Sequence, residues 1–234
     1  MSSKHQPVYD GGGKRQVRSF VRRKGRMSDK REEEYRRLMP VHGISFRPEE
    51  TDPAGLFPEP GEVVLEIGFG MGHATLELAA GNPGINYLGI EVHVPGVASV
   101  LSKIESMGLN NLKIIEHDAV EVLKYMIPRE SFSGVHIFFP DPWPKKRHFK
   151  RRLVQTDFLN LLVPRVKMDG YIYMVTDWED YARWMKEHLG AHPDLENRYD
   201  GYADALAWRP STAFEQKGLD KNHIIRELFY RRKS

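Results

Sequence analysis

The chain has 234 residues, 40% of them hydrophobic and 29% charged, which is the composition of one globular domain with an appendage rather than of a disordered chain. No stretch approaches the roughly 18 consecutive apolar residues of a membrane span, and the first residues lack the apolar core of a signal peptide, so the expectation is a soluble cytoplasmic protein with no membrane partner. Cysteine is absent, which excludes disulfides, thiolate nucleophiles and cysteine metal sites.

The net charge of +3 is unevenly spread. Residues 1–31 hold ten Lys or Arg against Asp10 and Asp29, a net +8, leaving −5 on the rest. With Gly11, Gly12 and Gly13, few apolar residues and the cluster Arg22, Arg23, Lys24 and Arg26, this segment reads as a flexible basic arm; the plainer alternative is a solubilising tail. Residues 32–60 follow as a short helix and connector. The charged stretch from Ser28 to about Met39 is expected to be helical, with Ser28 as cap and Pro40 beyond its end, and Pro48, Pro53, Pro58 and Pro60 mark irregular chain.

From Gly61 to residue 234 short apolar runs alternate with helical patterns. Val63 to Ile67, Tyr87 to Ile90, Leu112 to Ile115, Val135 to Phe139 and Tyr171 to Val175 are predicted strands, and Ile224 to Tyr230 a last one. That alternation predicts an α/β domain whose parallel sheet is covered by helices. Between the second and third strands, Pro95 suits a first helical turn. Val97, Val100, Leu101, Ile104 and Met107 fall on one face, and Gly108 supplies the left-handed stop.

Ligands of such sheets bind beyond the carboxyl ends of the strands, and an acid stands at or next to every one of the first five. Glu66 precedes Gly68, Gly70 and Gly72; Glu91 ends the second strand nineteen residues after Gly72; Asp118, Asp141 and Asp177 follow the third, fourth and fifth. The glycines permit a tight strand-to-helix turn and close approach of a ligand. An acid at the end of the second strand is placed to take both hydroxyls of a ribose, so a nucleoside cofactor is expected. The spacing G-x-G-x-G with an acid before it departs from the dinucleotide pattern; Glu66 would repel a pyrophosphate and suits the cationic methionine end of S-adenosylmethionine. The alternative for Glu66 is a helix cap or an ion pair. Asp118 is placed to accept from an adenine amino group, to cap the helix opening near Ala119, or both.

The fourth strand runs into Phe139-Pro140-Asp141-Pro142-Trp143-Pro144, then six cations in eight residues: Lys145, Lys146, Arg147, Lys150, Arg151 and Arg152, around His148 and Phe149. Three prolines stiffen the turn, and interleaved aromatic and basic residues suit RNA. His188 and His192 have a helical metal-ligand spacing but no third ligand, and are read as surface histidines.

These segments resemble the bacterial tRNA (guanine-N7)-methyltransferases. The likeness covers Arg18 to Arg23 with Gly25-Arg26, the Glu66 glycine loop, Gly89 to His93 with Pro95-Gly96, His117 to Ala119, Phe139 to Arg152, Thr176-Asp177, and Thr212 to Glu215 with Gly218. It departs at Asn222 and Ala98, where Gly is usual, and at Glu227, usually Asp. The resemblance implies a Rossmann-like class I methyltransferase fold, doubly wound with an antiparallel last strand, S-adenosylmethionine as donor and guanine 46 of the tRNA variable loop as acceptor. It assigns Glu66, Gly68, Gly70, Gly72, Glu91, Asp118, Ala119 and Asp141 to the cofactor, with Asp141 also catalytic. Lys145, Asp177, Thr212, Ala213, Phe214 and Glu215 go to the substrate, and Arg22, Arg23, Arg147, His148, Phe149, Lys150, Arg151 and Arg152 to RNA. No metal is implied, and the chain is expected to act as a monomer or homodimer. A dehydrogenase, a methyltransferase for another RNA and a non-catalytic RNA-binding protein are the rival readings.

Overall fold

The computed structural model describes residues 19–20, 27–211, 213–220 and 223–234. Its centre is a seven-stranded sheet: β1 (Glu62–Ile67), β2 (Ile85–Glu91), β3 (Leu112–Glu116), β4 (Phe132–Phe138), β5 (Val166–Thr176), β6 (Leu195–Asn197) and β7 (Arg226–Arg232), in the order β3-β2-β1-β4-β5-β7-β6. The pairs among β1 to β5 are parallel, and β7 runs antiparallel to both β5 and β6. Parallel strands are buried on both faces and read as continuous apolar runs, as in Val63-Val64-Leu65-Glu66-Ile67.

Side-chain alternation divides this run between two cores. Val63, Leu65 and Ile67 join the apolar residues of α4 (Ala119–Tyr125), α5 (Thr156–Leu162) and α6 (Glu179–Ala191). Val64 joins those of α1 (Asp29–His42), α2 (His73–Gly81) and α3 (Val94–Met107). Glu66, on the Val64 side, is the single ionisable group of the strand interior and is itself buried. The sheet order reverses between β1 and β4, so a crevice opens beyond their carboxyl ends.

Several expectations shift. α1 does not stop before Pro40 but continues to His42. Only the Pro40 donor is lost; Gly43 N–H still reaches Met39 O at 2.9 Å, Ile44 N–H reaches Ile114 O at 2.7 Å, and Leu38 is fully buried. In α3, Val97, Val100, Leu101 and Ile104 are buried as expected, and Gly108 (φ 63°) ends the helix with Leu109 N–H on Ile104 O. Met107, in the last turn, is instead 47% exposed. The short edge strand β6 was not foreseen. His192 is buried and accepts from Asp194 N–H, and His188 stacks on Trp184, so the two histidines belong to packing rather than to open surface. Among the described residues no helix is long and apolar enough to cross a membrane, and no cluster of three His, Asp or Glu is disposed to hold a metal.

Candidate active site

The crevice is a cavity of about 600 Å³ whose walls come from the β1–α2 loop (Glu66 to Ala74), the end of β2, His117 to Ala119, Phe138 to Asp141, and Leu153. Four carboxylates, those of Glu66, Glu91, Asp118 and Asp141, belong to this wall, and among the described residues no Lys or Arg does. The cavity is therefore acidic where it meets the glycine loop and apolar around Phe69, Ile90 and Phe138.

Gly68 and Gly70 have φ of 77° and 58°, and a Cβ built on either would meet no atom within 4 Å, which leaves the loop bare toward the cavity. Gly72, the cap of α2, has no such room. A Cβ there would lie 2.1 Å from Val100 Cγ2, so α2 and α3 meet only because glycine stands between them.

Glu91 anchors this loop. Its Oε2 accepts Gly70 N–H at 2.7 Å, and its Oε1 accepts the N–H groups of Val92 and His93 at 2.6 and 2.9 Å. A carboxylate has about four lone-pair sites, so the acid that ends β2 both shapes the loop and keeps acceptor capacity at the cavity. Asp118 caps α4 through Val120 N–H at 3.0 Å, which bears out one of its two expected roles.

Glu66 accepts the Thr75 hydroxyl at 2.8 Å, tying β1 to the first turn of α2. Burial pushes its carboxyl up from 4.5 to about 7; the Thr75 bond opposes the rise and the charge of Glu91 adds to it. The folded chain thus holds a proton that the unfolded chain releases above 4.5. Stability from this group is full below the unfolded value and is lost as pH rises through about 7. Glu66→Gln keeps an acceptor for Thr75 and removes the penalty. Urea denaturation at pH 4.5 and pH 8 is expected to show the wild type losing about 3 kcal/mol relative to this variant; parallel profiles would contradict the assignment.

Asp141 stands in the Pro140–Pro144 turn, with Phe139 just before the turn and Trp143 within it in left-handed conformations (φ 50° and 44°). Asp141 is exposed at the cavity wall. Lys145, Lys146, Arg147 and Lys150 are exposed and Arg151 lies 5.1 Å over the Trp143 ring, so five cations follow directly on the turn that carries Asp141. His148, half-buried among them, is held below its ordinary range by desolvation and by the charges of Arg147, Arg151, Lys145 and Lys150. Phe149 packs edge-on to Trp184. Arg152 corrects the expectation for this run: it is 1% exposed, pairs with Asp180 and cannot serve as a surface contact for RNA.

Of the residues expected at the substrate, Lys145 and Asp177 stand outside the cavity wall. Asp177 Oδ2 is 2.9 Å from His223 Nδ1, and β5, which leads to Asp177, pairs with β4 up to Val175 and Phe138. Ala213 and Phe214 open the helix α7 (Ala213–Leu219). Glu215 is buried and held bidentate by Arg209 at 2.6 and 2.7 Å, and Arg209 also binds Glu227 at 2.7 Å. Glu215 therefore serves first to seat α7. Thr212, Arg22 and Arg23 lie outside the described residues.

Two features of the wall were not assigned from the sequence. Ser19 and Phe20 line the cavity, and Trp143 Nε1–H donates to Ser19 O at 3.0 Å. An aromatic residue inside a cation-rich segment was the available signal, since its ring gains by leaving water. Arg209 gave no signal, being one more cation in a charged chain.

The family described as "Putative methyltransferase" matches residues 60–228. The chain is 46% identical over 219 residues to the tRNA (guanine-N(7)-)-methyltransferase of Nitrosospira multiformis, covering 94% of this chain and 96% of that protein. It is 45% identical over 231 residues to the protein of the same name from Bordetella pertussis, covering 99% and 90%. Among solved structures, the 16S rRNA methyltransferase KamB aligns with a TM-score of 0.55 at 12% identity, over 91% of this chain and 97% of that one. An rRNA methylase from Streptococcus thermophilus aligns at 0.52 with 11% identity, over 77% and 92%. The structural likenesses carry the fold, that of class I methyltransferases, and the sequence likenesses carry the family: the chain belongs to the tRNA (guanine-N(7)-)-methyltransferases.

Proposed function

We propose that the chain transfers a methyl group from S-adenosylmethionine to N7 of guanine 46 in the variable loop of tRNA, giving 7-methylguanosine and S-adenosylhomocysteine, in the cytoplasm. The observation that carries this reading is a cavity with four carboxylates and no Lys or Arg in its described wall, opening beside a turn fringed by five cations. A cationic, nucleoside-bearing ligand suits the first and a polyanion the second.

The cavity fits the cofactor by its donor set. Glu66, Gly68 and Gly70 would receive the methionine end, Glu91 the ribose, and Asp118 with Ala119 the adenine. When bound, S-adenosylmethionine supplies an electrophilic sulfonium methyl. Guanine N7 carries a lone pair and no proton, so the protein needs no strong base; holding the base in line is the larger part of its task. The Asp141 carboxylate stabilises the positive charge that develops on the purine. Asp141 and Asp177 supply acceptors for guanine N1–H and the exocyclic amine, which adenine cannot match. Lys145, Arg147, Lys150 and Arg151 take phosphates, and His148 and Phe149 offer ring contacts.

The test is transfer of a labelled methyl from S-adenosylmethionine to unmodified tRNA, beside calorimetric titration with S-adenosylhomocysteine and with NAD. Transfer with binding of the first alone is expected. NAD binding would indicate a dehydrogenase, and tRNA binding without transfer a non-catalytic RNA-binding protein. The basic arm gives a further expectation: replacing Arg22, Arg23, Lys24 and Arg26 by Gln lowers the slope of log affinity for tRNA against log salt by about one for each phosphate no longer neutralised. A slope equal to that of the wild type would make the arm a solubilising tail.

A further inference from the structure

The last cation of the basic run has a different task from its neighbours. Arg152 sits beneath the turn, and a buried charge is tolerated only when paired and hydrogen-bonded. Its Nε–H donates to Pro142 O at 3.0 Å and its Nη2 to Asp180 Oδ2 at 2.5 Å. The guanidinium lies 3.7 Å over the Phe149 ring and 5.0 Å from the rings of Tyr181 and Trp184. It therefore joins two pieces of chain: the turn that carries Asp141, and the start of α6, which follows Asp177.

The turn has need of such a joint. Pro140, Pro142 and Pro144 have no N–H with which to anchor it, and Trp143 holds φ 44°, a conformation that non-glycine residues keep only where the surroundings enforce it. Phe139 N–H reaches Val175 O at 2.8 Å on one side of the turn, Trp143 reaches Ser19 O on the other, and the bond to Pro142 O comes between them. We infer that Arg152 is a positioning residue, whose guanidinium straps the Pro140–Trp143 turn to α6 and so fixes where the Asp141 carboxylate stands. The inference rests on the reading of Asp141 as the group that faces the reacting base.

The test uses the full chain with unmodified tRNA. Arg152→Met keeps an unbranched chain among the three rings and loses both hydrogen bonds. At saturating tRNA and S-adenosylmethionine its single-turnover rate is expected to fall about 10²-fold, the scale of a displaced reacting group, with the salt slope of tRNA affinity unchanged. Arg151→Met, which removes a cation from the surface, is expected to lower that slope by about one. Adding Asp141→Asn to Arg152→Met is expected to cost no more than about twofold beyond the slower single variant, since groups that act as a unit are not additive. A lowered slope with a near-wild-type rate in Arg152→Met would overturn the inference in favour of a phosphate contact, and multiplying losses would overturn it in favour of independent roles.

Trypsin gives a readout that does not depend on Asp141. Cleavage after Lys145, Lys146 or Arg147 is expected to accelerate in Arg152→Met while sites elsewhere in residues 61–234 are cut as in the wild type, and unchanged cleavage there would overturn the strap. Full turnover by Asp141→Asn alone, with accelerated cleavage in Arg152→Met, would overturn the role of Asp141 and retain the strap. If Arg152→Met does not fold, Asp180→Asn takes its place, because that carboxylate is 53% exposed at its side chain. A rate lower by about tenfold with an unchanged salt slope is then expected, and an unchanged rate would overturn the inference.

Discussion

Asp141→Asn is expected to fold as the wild type does and to lose about 10²- to 10³-fold in single-turnover methylation, the scale of removing one preorganised group that faces developing charge. The substitution preserves shape. Pro140 and Pro142 flank the residue, so its backbone is set by their rings, and the exposed side chain leaves no cavity when its charge goes. What changes is the charge: on the proposed role, a carboxylate beside a purine gaining positive charge becomes a neutral amide, which can also present a donor where guanine N1–H needs an acceptor. Because the proposed role sets Asp141 against both cofactor and base, the loss can divide between binding and turnover, and saturating both ligands in a single turnover separates them. A folded variant with a near-wild-type rate would move the catalytic weight to Asp177 or to alignment alone.

Glu91→Ala is expected to weaken binding of S-adenosylmethionine by about 10- to 10²-fold, the one ribose hydrogen bond that its remaining acceptor site can take being worth about 1.5 to 3 kcal/mol, while tRNA affinity changes little. The structure adds a second cause. The same carboxylate holds the N–H groups of Gly70, Val92 and His93, so its removal also frees the glycine loop. Calorimetry of Glu91→Ala with cofactor alone is the check. Wild-type affinity would mean that the ribose is held elsewhere and that Glu91 serves the loop only.

The parts of this molecule that local chemistry decides were legible in the sequence. Pro95 and Gly108 bound α3, Asp118 caps α4, and the apolar runs are strands, because each depends on residues within a turn or two of itself. The acids at the strand ends were legible for a related reason, since the topology of a parallel sheet brings those ends to one edge. The fate of Arg152 was not. It differs from Arg151 in nothing visible along the chain, and only the rings of Tyr181 and Trp184, brought by α6, make it a buried cation. Nor was the hold of Arg209 on both Glu215 oxygens, because nothing along the chain marks Arg209 as their partner. Pro40 reads as a helix stop because a proline costs one bond locally, whereas burial of Leu38 in the core that α1 shares with α2 and α3 offsets that cost from a distance. Ser19 and Phe20 reach the cavity through Trp143, more than a hundred residues away.

Mapping the methylated nucleoside tests the proposed reaction itself. Unmodified tRNA incubated with the protein and labelled S-adenosylmethionine is digested and its nucleosides are identified and placed, beside the same tRNA carrying adenine in place of guanine 46. 7-Methylguanosine at position 46 of the first tRNA and no label in the second are expected; label at another position, or in the tRNA that lacks guanine 46, would contradict the proposed function.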